Sequence, residues 1–316
     1  MRIAVLEPLG IPDADLRKLF ADALGDDEHV ELVTYPDRRE DAATLIERSA
    51  GAEAVVLSNI KYPAAVMECN PSLRYVCVAF TGYDHVDMAY CREHGIQVSN
   101  CAGYSTEAVA DIVFALTIDL LRSICTLNGT VRQGGTKDGL VGPELDGLRF
   151  GIVGLGAIGS RVARIAQAFG CEVVAYTRTP KNMPGVAEVG LEELLRTSDV
   201  VSLHVPQNAQ TTGMIGAEQL ALMKPSALLI NCARGPIVDS QALADALNEG
   251  RIAGAGIDVL ETEPPFPADH PLLTSKNTIV TPHIAFASTQ AMRKRAVIVA
   301  ANVASYLAGR TQNLVS

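Results

Sequence analysis

The sequence predicts an α/β protein with two doubly wound parallel-sheet domains. Three observations support this prediction. The chain has 316 residues, which is more than one hydrophobic core usually supports. Short β-branched runs alternate with helical segments over the first hundred residues, and the alternation restarts at Leu148 after a glycine-rich polar stretch. Strands that alternate with crossover helices are typical of parallel sheets.

The first half of the chain contains the strands and helices of one such domain. Residues 105–121 predict a long helix that starts at Ser105 or Thr106, and its nearly uniform apolar character predicts deep burial. The next segment, 128–147, is polar and glycine-rich and predicts a surface excursion. Before the long helix, strands are predicted at 2–7, 30–35, 52–58 and 73–80, and helices at 12–24 and 41–50.

The second half repeats the alternation as a complete doubly wound domain. Its strands are predicted at 149–156, 171–177, 199–205, 227–233, 252–260 and 277–284, and its helices at 157–170, 191–198, 217–224 and 240–250. The last segment, 287–309, predicts one long helix that ends at Gly309 with no further strand to pack beneath it. We therefore expect this helix to return to the first domain.

Composition and charge narrow the classes of partner. Hydrophobic residues make up 48% of the chain and charged residues 20%, as in a folded globular protein. The net charge of -10 repels a nucleic acid backbone and an anionic bilayer, so neither is an expected partner. The chain begins with a strand-like run, without the apolar core of a signal peptide, and has no unbroken membrane-length apolar stretch. A cytoplasmic location is the resulting prediction.

The seven cysteines indicate reduced thiols rather than disulfides or a metal site. Their number is odd, no CxxC pair occurs, and no histidines stand at metal-ligand spacing from them. Cys232 lies in the densest motif of the chain and is the best candidate for a catalytic thiol, but burial in a core is the commoner role of a cysteine. We predict neither a metal site nor a reactive cysteine.

A glycine-rich turn predicts a dinucleotide site. Gly154, Gly156 and Gly159 lie between an apolar strand and an amphipathic helix that begins with Ala157 and Ile158. The first glycine allows a tight turn, the second lets the backbone approach a pyrophosphate at the helix N-terminus, and the third permits close packing of helix on strand. This context makes the motif more specific than the glycines alone.

The end of the next strand bears on the choice between NAD(H) and NADP(H). Sites selective for NAD place a carboxylate there, which binds the ribose hydroxyls. This chain has Thr177, Arg178 and Thr179 instead, and these side chains can pair with a 2′-phosphate. The sequence therefore favours NADP(H) or dual use. A solvated Arg178, or one that stacks on adenine in an NAD site, remains the alternative.

Three polar residues lie at strand ends or adjoining loops of the second domain, where such sheets bind ligands. They are Arg234, Glu263 and His283. An arginine offers a forked donor to a carboxylate or keto oxygen, a histidine can give that oxygen a proton, and a neighbouring glutamate orients the imidazole. Hydride transfer to a keto acid needs each of these functions. Taken singly, each residue also has an ordinary structural explanation as an ion-pair, capping or hydrogen-bonding group.

Together these segments resemble the D-isomer-specific 2-hydroxyacid dehydrogenase family over nearly the whole chain. The matching strings are GIVGLGAIG (151–159), NCARGPIVD (231–239), DVLETEP (258–264) and TPHIA (281–285). The resemblance implies two Rossmann-like domains with an interdomain cleft. Residues 105–285 would bind the dinucleotide, and residues 1–104 plus 286–316 would form the substrate domain. It also implies that Arg234 binds and polarises the substrate. His283 would be the general acid for reduction and the base for oxidation, tuned by Glu263.

The resemblance further implies the binding residues. The substrate carboxylate would be held by backbone amides around Thr81 and Gly82, and Asn59, at an adjoining strand end, either faces the substrate or caps a turn. Among the cofactor-lining positions, Asp258 would accept a hydrogen bond from the carboxamide. The cofactor-lining positions are His204, Pro206, Thr211, Cys232, Ala233 and Asp258.

Within the family, the chain is most similar to the hydroxypyruvate reductase and glycerate dehydrogenase group. This implies reversible NAD(P)H-dependent reduction of a small 2-keto acid, of the hydroxypyruvate or glyoxylate type, to the D-2-hydroxy acid. Ile284, Ala285 and Phe286 follow His283, and their bulk favours a small substrate. Two alternatives remain: a corepressor-like protein that senses nicotinamide dinucleotides, and a dehydrogenase of another small anion such as D-lactate or phosphite. A homodimer is implied through the long helix and the excursion that follows it.

Overall fold

A computed structural model describes residues 1–25 and 29–316. The chain divides into two compact units: unit 1 comprises Met1–Ser105 and Ala287–Ser316, and unit 2 comprises Thr106–Phe286. Each unit contains a parallel sheet with helices between its strands. The predicted α/β class with two parallel-sheet domains is confirmed. No helix in the described ranges combines the length and apolar character needed to span a membrane.

Unit 1 is built around a parallel sheet. The strands in its described residues are β1 (Arg2–Val5), β2 (Glu31–Thr34), β3 (Ala54–Leu57), β4 (Tyr75–Val78) and β5 (Gln97–Ser99). Its helices are α1 (Asp13–Leu24), α2 (Ala42–Ser49), α3 (Ala64–Met67), α4 (Met88–Glu93) and the C-terminal α11 (Thr289–Leu307). The strand order β2-β1-β3-β4-β5 places the topological switch point between β1 and β3.

The C-terminal helix α11 is part of unit 1. It packs on α1 and β4, and the Tyr306 ring stacks on Tyr75 with centroids 4.3 Å apart. The buried Asn302 amide donates to the carbonyl of Asn100 at 2.9 Å. The helix begins at a serine cap, where Ser288 accepts from the backbone N–H of Ala291.

Unit 2 contains a parallel sheet with more strands. Its strands are β6 (Arg149–Val153), β7 (Glu172–Tyr176), β8 (Val186–Glu188), β9 (Val200–Leu203), β10 (Leu228–Asn231), β11 (Gly254–Ile257) and β12 (Thr278–Val280). Its helices are α5 (Thr106–Arg122), α6 (Ile124–Arg132), α7 (Ala157–Ala168), α8 (Leu191–Thr197), α9 (Ala217–Leu222) and α10 (Ser240–Asn248). The order β12-β11-β10-β9-β6-β7-β8 is that of a Rossmann sheet, with its switch point between β6 and β9.

Both faces of the unit 2 sheet are buried. Along β6, Phe150 and Ile152 belong to the core under α5 and α7, whereas Val153 belongs to the core under α8, α9 and α10. Successive residues of a strand point to opposite faces, so a sheet covered on both sides needs apolar residues at nearly every position. This requirement explains the continuous apolar runs in the sequence.

The structure differs from the sequence prediction at several elements. The edge strands β5 and β8 were not predicted, because each has only three residues, too few to show an apolar alternation. Helix α5 is buried on one face only, since Ala115 is exposed and Ile118 and Leu121 are half-buried. The predicted excursion starts within α6, a helix with no buried residue that the sequence prediction missed.

Candidate active site

The turn between β6 and α7 has the shape that a dinucleotide pyrophosphate requires. Gly154 has φ +103°, and a Cβ there would lie 2.7 Å from the carbonyl oxygen of His204. A Cβ at Gly159 would lie 1.9 Å from the Gly154 carbonyl, so helix and strand touch through backbone. In contrast, a Cβ at Gly156 would meet nothing within 4 Å. The N-terminus of α7 therefore faces open space that suits an anion.

The end of β7 carries the residues predicted to face the adenosine ribose. Arg178 and Thr179 are exposed. The Thr177 hydroxyl donates to the carbonyl of Thr179 at 3.1 Å. This hydroxyl closes the turn that contains Arg178.

Two polar residues order the segment that follows β9. The imidazole Nε2 of His204 lies 2.8 Å from the Ser202 hydroxyl, and burial lowers the pKa of His204 to about 3. The Thr211 hydroxyl donates to the Pro206 carbonyl at 2.6 Å and accepts from the backbone N–H of Asn208 at 2.9 Å. His204 is therefore neutral at physiological pH, and Thr211 closes the loop that contains Pro206.

The end of β10 positions Arg234 through a buried asparagine. The Asn231 amide donates to the Arg234 carbonyl at 2.9 Å, and its oxygen accepts from the backbone N–H of Ala233 at 3.0 Å. Asn231 is 1% exposed. Cys232, next to it, is buried, and burial raises the pKa of its thiol. Its position agrees with the predicted packing role rather than with a reactive thiolate.

Asp258 holds the turn that carries His283. Its Oδ1 accepts from the Thr281 hydroxyl at 2.6 Å and from the backbone N–H of Ile284 at 2.8 Å, and its Oδ2 accepts from the N–H of Ala285 at 2.8 Å. The Asp258 side chain is fully buried, and burial raises its pKa despite these hydrogen bonds. The carboxylate thus braces the 281–285 turn, a function that the sequence analysis did not assign to it.

His283 and Glu263 form a close pair. The Nδ1 of His283 lies 2.9 Å from each carboxylate oxygen of Glu263. An Nδ1–H that donates to Glu263 leaves Nε2 as the other functional nitrogen. His283 has φ +54°, a left-handed conformation that non-glycine residues adopt rarely and at a cost of about 1–3 kcal/mol. The hydrogen bonds of Asp258 to the same turn stabilise that conformation.

Arg234 and His283 share one edge of the unit 2 sheet. Arg234 follows β10 and His283 follows β12, with β11 between them, and the carboxyl ends of parallel strands lie at the same edge. The glycine turn follows β6 at this edge as well. The predicted cofactor residues and the three predicted catalytic residues of unit 2 are thus carried by one end of one sheet.

In unit 1, the predicted substrate residues lie at the carboxyl ends of β3 and β4. Asn59 follows β3, and its Oδ1 accepts from Nη1 of Arg38 at 2.7 Å. Thr81 and Gly82 follow β4, and the Thr81 carbonyl accepts from the Asn100 amide at 2.7 Å. The same Arg38 nitrogen lies 2.6 Å from Oε2 of the buried Glu7. Arg38 therefore fixes the orientation of the Asn59 amide.

Comparison with known proteins supplies the family. Residues 114–285 match the family described as D-isomer specific 2-hydroxyacid dehydrogenase, NAD binding domain. A glyoxylate reductase of Korarchaeum cryptofilum is 39% identical over 310 residues, which cover 95% of this chain and 91% of the relative. The chain belongs to the D-isomer-specific 2-hydroxyacid dehydrogenase family.

Other relatives agree with this membership. A hydroxypyruvate reductase of Blautia hydrogenotrophica is 36% identical over 100% of both chains. The solved structure of an acyclic imino acid reductase in complex with NADPH and D-Arg superposes with a TM-score of 0.91 at 32% identity, over 100% of both chains. The chain is therefore an oxidoreductase of the 2-hydroxyacid dehydrogenase class with a domain that binds a nicotinamide dinucleotide.

Several residues of this dehydrogenase act by positioning others and were not predicted from the sequence. Asn231 precedes Arg234 by three residues and Thr281 precedes His283 by two. An asparagine at a strand end before a turn is a recognisable signal, since its side chain often bonds the backbone two residues later. Glu7 and Arg38 are separated by 31 residues, and no local pattern could reveal their contact.

Proposed function

We propose that this dehydrogenase reduces a small 2-keto acid of the hydroxypyruvate or glyoxylate type to the D-2-hydroxy acid, reversibly, with His283 as general acid and base. The observation that carries the proposal is the contact of both Glu263 oxygens with Nδ1 of His283 at 2.9 Å. A carboxylate there selects one tautomer and stabilises the imidazolium, as proton transfer at Nε2 requires. The names of the two reductase relatives support the substrate class.

The residues of unit 2 divide the chemistry among them. In reduction, Nε2 of His283 gives its proton to the keto oxygen of the substrate, and Glu263 stabilises the imidazolium beforehand. Arg234 binds the substrate and polarises its keto group through its guanidinium. The dinucleotide, when bound, supplies the hydride that forms the new C–H bond. In oxidation, the neutral Nε2 takes the hydroxyl proton.

Unit 1 contributes substrate binding in this proposal. Backbone amides around Thr81 and Gly82 hold the substrate carboxylate, as the family resemblance implies. The Asn59 amide, whose oxygen accepts from Arg38, has its nitrogen available to donate to the substrate. In unit 2, the Phe286 ring stands edge-on to the His283 imidazole with centroids 5.3 Å apart, and this bulk supports a preference for small substrates.

The residues around the glycine turn would hold the dinucleotide. The N–H groups at the start of α7, from Ala157 and Ile158, face the open space at Gly156 and suit the pyrophosphate. His204, Pro206, Thr211, Cys232, Ala233 and Asp258 would line the remainder. We propose that NADP(H) is preferred or that both dinucleotides are used, because exposed Arg178 and Thr179 can pair with a 2′-phosphate.

We also propose a homodimer. Helix α6 buries none of its residues within this chain, and exposed apolar side chains lie on it and on the segment after it. They are Ile124, Val131, Leu140 and Val141, with exposures of 52%, 66%, 36% and 82%. Several exposed apolar groups within one stretch of the chain are more typical of an interface than of a solvated surface. Val131→Asp combined with Val141→Asp should shift the protein to monomer in analytical ultracentrifugation, and an unchanged dimer would contradict this interface.

The substrate proposal is tested by initial rates of NADPH and NADH oxidation with hydroxypyruvate, glyoxylate, pyruvate and a bulkier keto acid. We expect the fastest turnover with hydroxypyruvate or glyoxylate. The panel includes a keto acid supplied with an amine, because the imino acid reductase has a similar structure, and also D-lactate and phosphite in the oxidation direction. Faster turnover of the keto acid with amine, of D-lactate or of phosphite would replace the proposed substrate. Dinucleotide binding without turnover would support the sensing alternative.

A further inference from the structure

A second histidine–glutamate pair lies beside the proposed catalytic pair. The Nε2 of His270 lies 3.0 Å from Oε2 of Glu261, two residues from Glu263. The chain from 261 to 270 is thus a loop whose two ends are joined by this side-chain contact, and Glu263 lies within it. We call this segment the 261–270 loop. The position of Glu263 relative to His283 depends on how this loop is held.

The two pairs use opposite imidazole nitrogens. His283 faces its glutamate with Nδ1, whereas His270 faces its glutamate with Nε2. The Nδ1 of His270 accepts from the backbone N–H of Leu272 at 3.3 Å. An accepting Nδ1 requires the proton on Nε2, so His270 is a donor to Glu261. Its imidazole therefore bridges the beginning of the loop to the turn after it, and both nitrogens are engaged.

Glu261 also connects the loop to the segment that carries Arg234. A Cβ at Gly235 would lie 2.0 Å from the carbonyl of Leu260 and 2.6 Å from the backbone nitrogen of Glu261, so the two segments touch through backbone. Burial opposes ionisation of Glu261, but hydrogen bonds from Ser240 and His270 outweigh it and lower its pKa. Ser240 begins α10, directly after the Arg234 segment.

We propose that Glu261 and His270 are positioning residues that hold the 261–270 loop so that Glu263 stays on Nδ1 of His283. This inference rests on the proposed function, in which that contact prepares His283 for proton transfer. The backbone of Glu261 lies against Gly235, its side chain contacts His270, and Glu263 lies between Glu261 and His270 in the chain. Loss of the Glu261–His270 contact releases the loop from the sheet edge that carries Arg234.

Removing the Glu261–His270 contact should change the geometry of the active site more than the stability of the fold. The side chain of Glu261 is 41% exposed, and partly exposed pairs contribute little to folding. A displacement of about 1 Å at a reacting group, in contrast, can reduce turnover by up to about a hundredfold. Removing the Glu261–His270 contact should therefore lower kcat while leaving the melting temperature and the KM for the dinucleotide close to their original values.

Three substitutions separate the contributions. Glu261→Ala removes the acceptor, and we expect roughly a tenfold loss of kcat. Glu261→Gln keeps an oxygen that can accept from Nε2 of His270, so it should retain most of the activity. His270→Asn can still accept from the N–H of Leu272 but does not reach Glu261, and we expect it to resemble Glu261→Ala. The matched control is Glu249→Gln, which removes a charge paired with Arg251 at the other end of α10.

A measurement that needs no turnover completes the test. The ¹⁵N shifts of the His283 imidazole report its tautomer, and in the original protein we expect the Nδ1–H form alone. In Glu261→Ala and His270→Asn, we expect a mixture of tautomers. Unchanged kcat in both variants, or a single Nδ1–H tautomer retained in both, overturns the proposal. Absence of keto acid turnover in the original protein would instead refute the proposed function, and the tautomers alone would then decide on the loop.

Discussion

Each unit has a turn from its first strand to the following helix at its topological switch point, and the two turns differ in chemistry. In unit 1, the turn after β1 contains Gly10, where a Cβ would lie 2.7 Å from the sulfur of Met292 on α11. The following helix α1 has two acidic residues in its first turn, Asp13 and Asp15. In unit 2, the space at Gly156 is open, and the first turn of α7 has no acidic residue.

This difference shows that position in a doubly wound sheet does not by itself create an anion site. The positive end of α1 is balanced by its own carboxylates, and a side chain from α11 occupies the space beside the turn. The positive end of α7 is not balanced in this way and is accessible through its glycine. The unit 2 turn therefore combines an uncompensated positive helix end with the glycine access that a pyrophosphate requires.

The largest expected effect separates chemistry from binding within unit 2. His283→Ala removes the proton donor at Nε2 but leaves the α7 turn unchanged. Because general acid catalysis typically contributes about 10²–10⁴-fold, we expect a loss of turnover of that order with dinucleotide affinity nearly retained. Turnover and the dinucleotide dissociation constant, measured on the same preparation, check this. Normal turnover would remove His283 from the mechanism, and lost binding would indicate a wider structural change.

The next effect concerns the arginine that follows the second strand of each sheet, β2 in unit 1 and β7 in unit 2. In unit 1, Arg38 follows β2 and is paired with Glu7 and Glu40, whereas Arg178 follows β7 in unit 2 and is exposed. Arg178→Ala should weaken NADPH binding by roughly 10–100-fold, since hydrogen bonds to charged groups contribute about 1.5–3 kcal/mol. Binding of NADH should change little.

Titrations with both dinucleotides test this selectivity, and Arg178→Lys is the matched control. It keeps the charge but not the forked donor geometry, so it should lose less NADPH affinity than Arg178→Ala. Equal losses for NADPH and NADH would show that Arg178 contacts a part common to both, such as the adenine ring.

A smaller effect tests the comparison of the two turns directly. Ala157→Asp gives α7 an acidic first turn like that of α1. A carboxylate there stabilises a helix by about 0.3–1 kcal/mol, so the melting temperature should stay constant or rise. The same carboxylate should weaken dinucleotide binding about tenfold through repulsion of the pyrophosphate, a change of about 1.4 kcal/mol. Ala157→Asn controls for size. Unchanged affinity in Ala157→Asp would place the pyrophosphate elsewhere.

The elements that could be predicted from the sequence each carry a pattern within a short stretch of the chain. Long strands and helices follow from apolar periodicity, and the glycine turn follows from spacing within one strand–turn–helix unit. The edge strands β5 and β8 carry three residues each and gave no such signal. The contact of Glu263 with His283 spans 20 residues, and the strand-end positions of the two residues together with the family resemblance pointed to it. The hydrogen bonds of Asp258 to the 281–285 turn could not be predicted, because they depend on tertiary packing.

The residues that follow β3 and β9, the strands on the other side of each switch point, also differ in charge. This difference should appear in the pH dependence of the free energy of unfolding. In unit 1, the backbone N–H of Ser58 after β3 donates to the carboxylate of Glu7, which is ion-paired with Arg38. In unit 2, the residue after β9 is His204, whose burial lowers its pKa to about 3. The first switch point thus contains a compensated charge, and the second contains a neutral imidazole.

A half-buried imidazole that stays neutral destabilises the folded state as the solution becomes acidic. In the unfolded chain, His204 takes up a proton near pH 6.5, whereas the folded protein takes it up only near pH 3. Between these values the unfolded state binds more protons, so the free energy of unfolding falls as pH falls, by up to about 1.4 kcal/mol per pH unit. His204→Gln keeps a polar atom near the Ser202 hydroxyl but cannot titrate. Its unfolding free energy, measured in urea between pH 7 and 4.5, should therefore fall less steeply than that of the original protein. Parallel curves for the two proteins would mean that His204 takes up its proton at a similar pH in the folded and unfolded chains, and that unit 2 tolerates a positive charge beside the glycine turn.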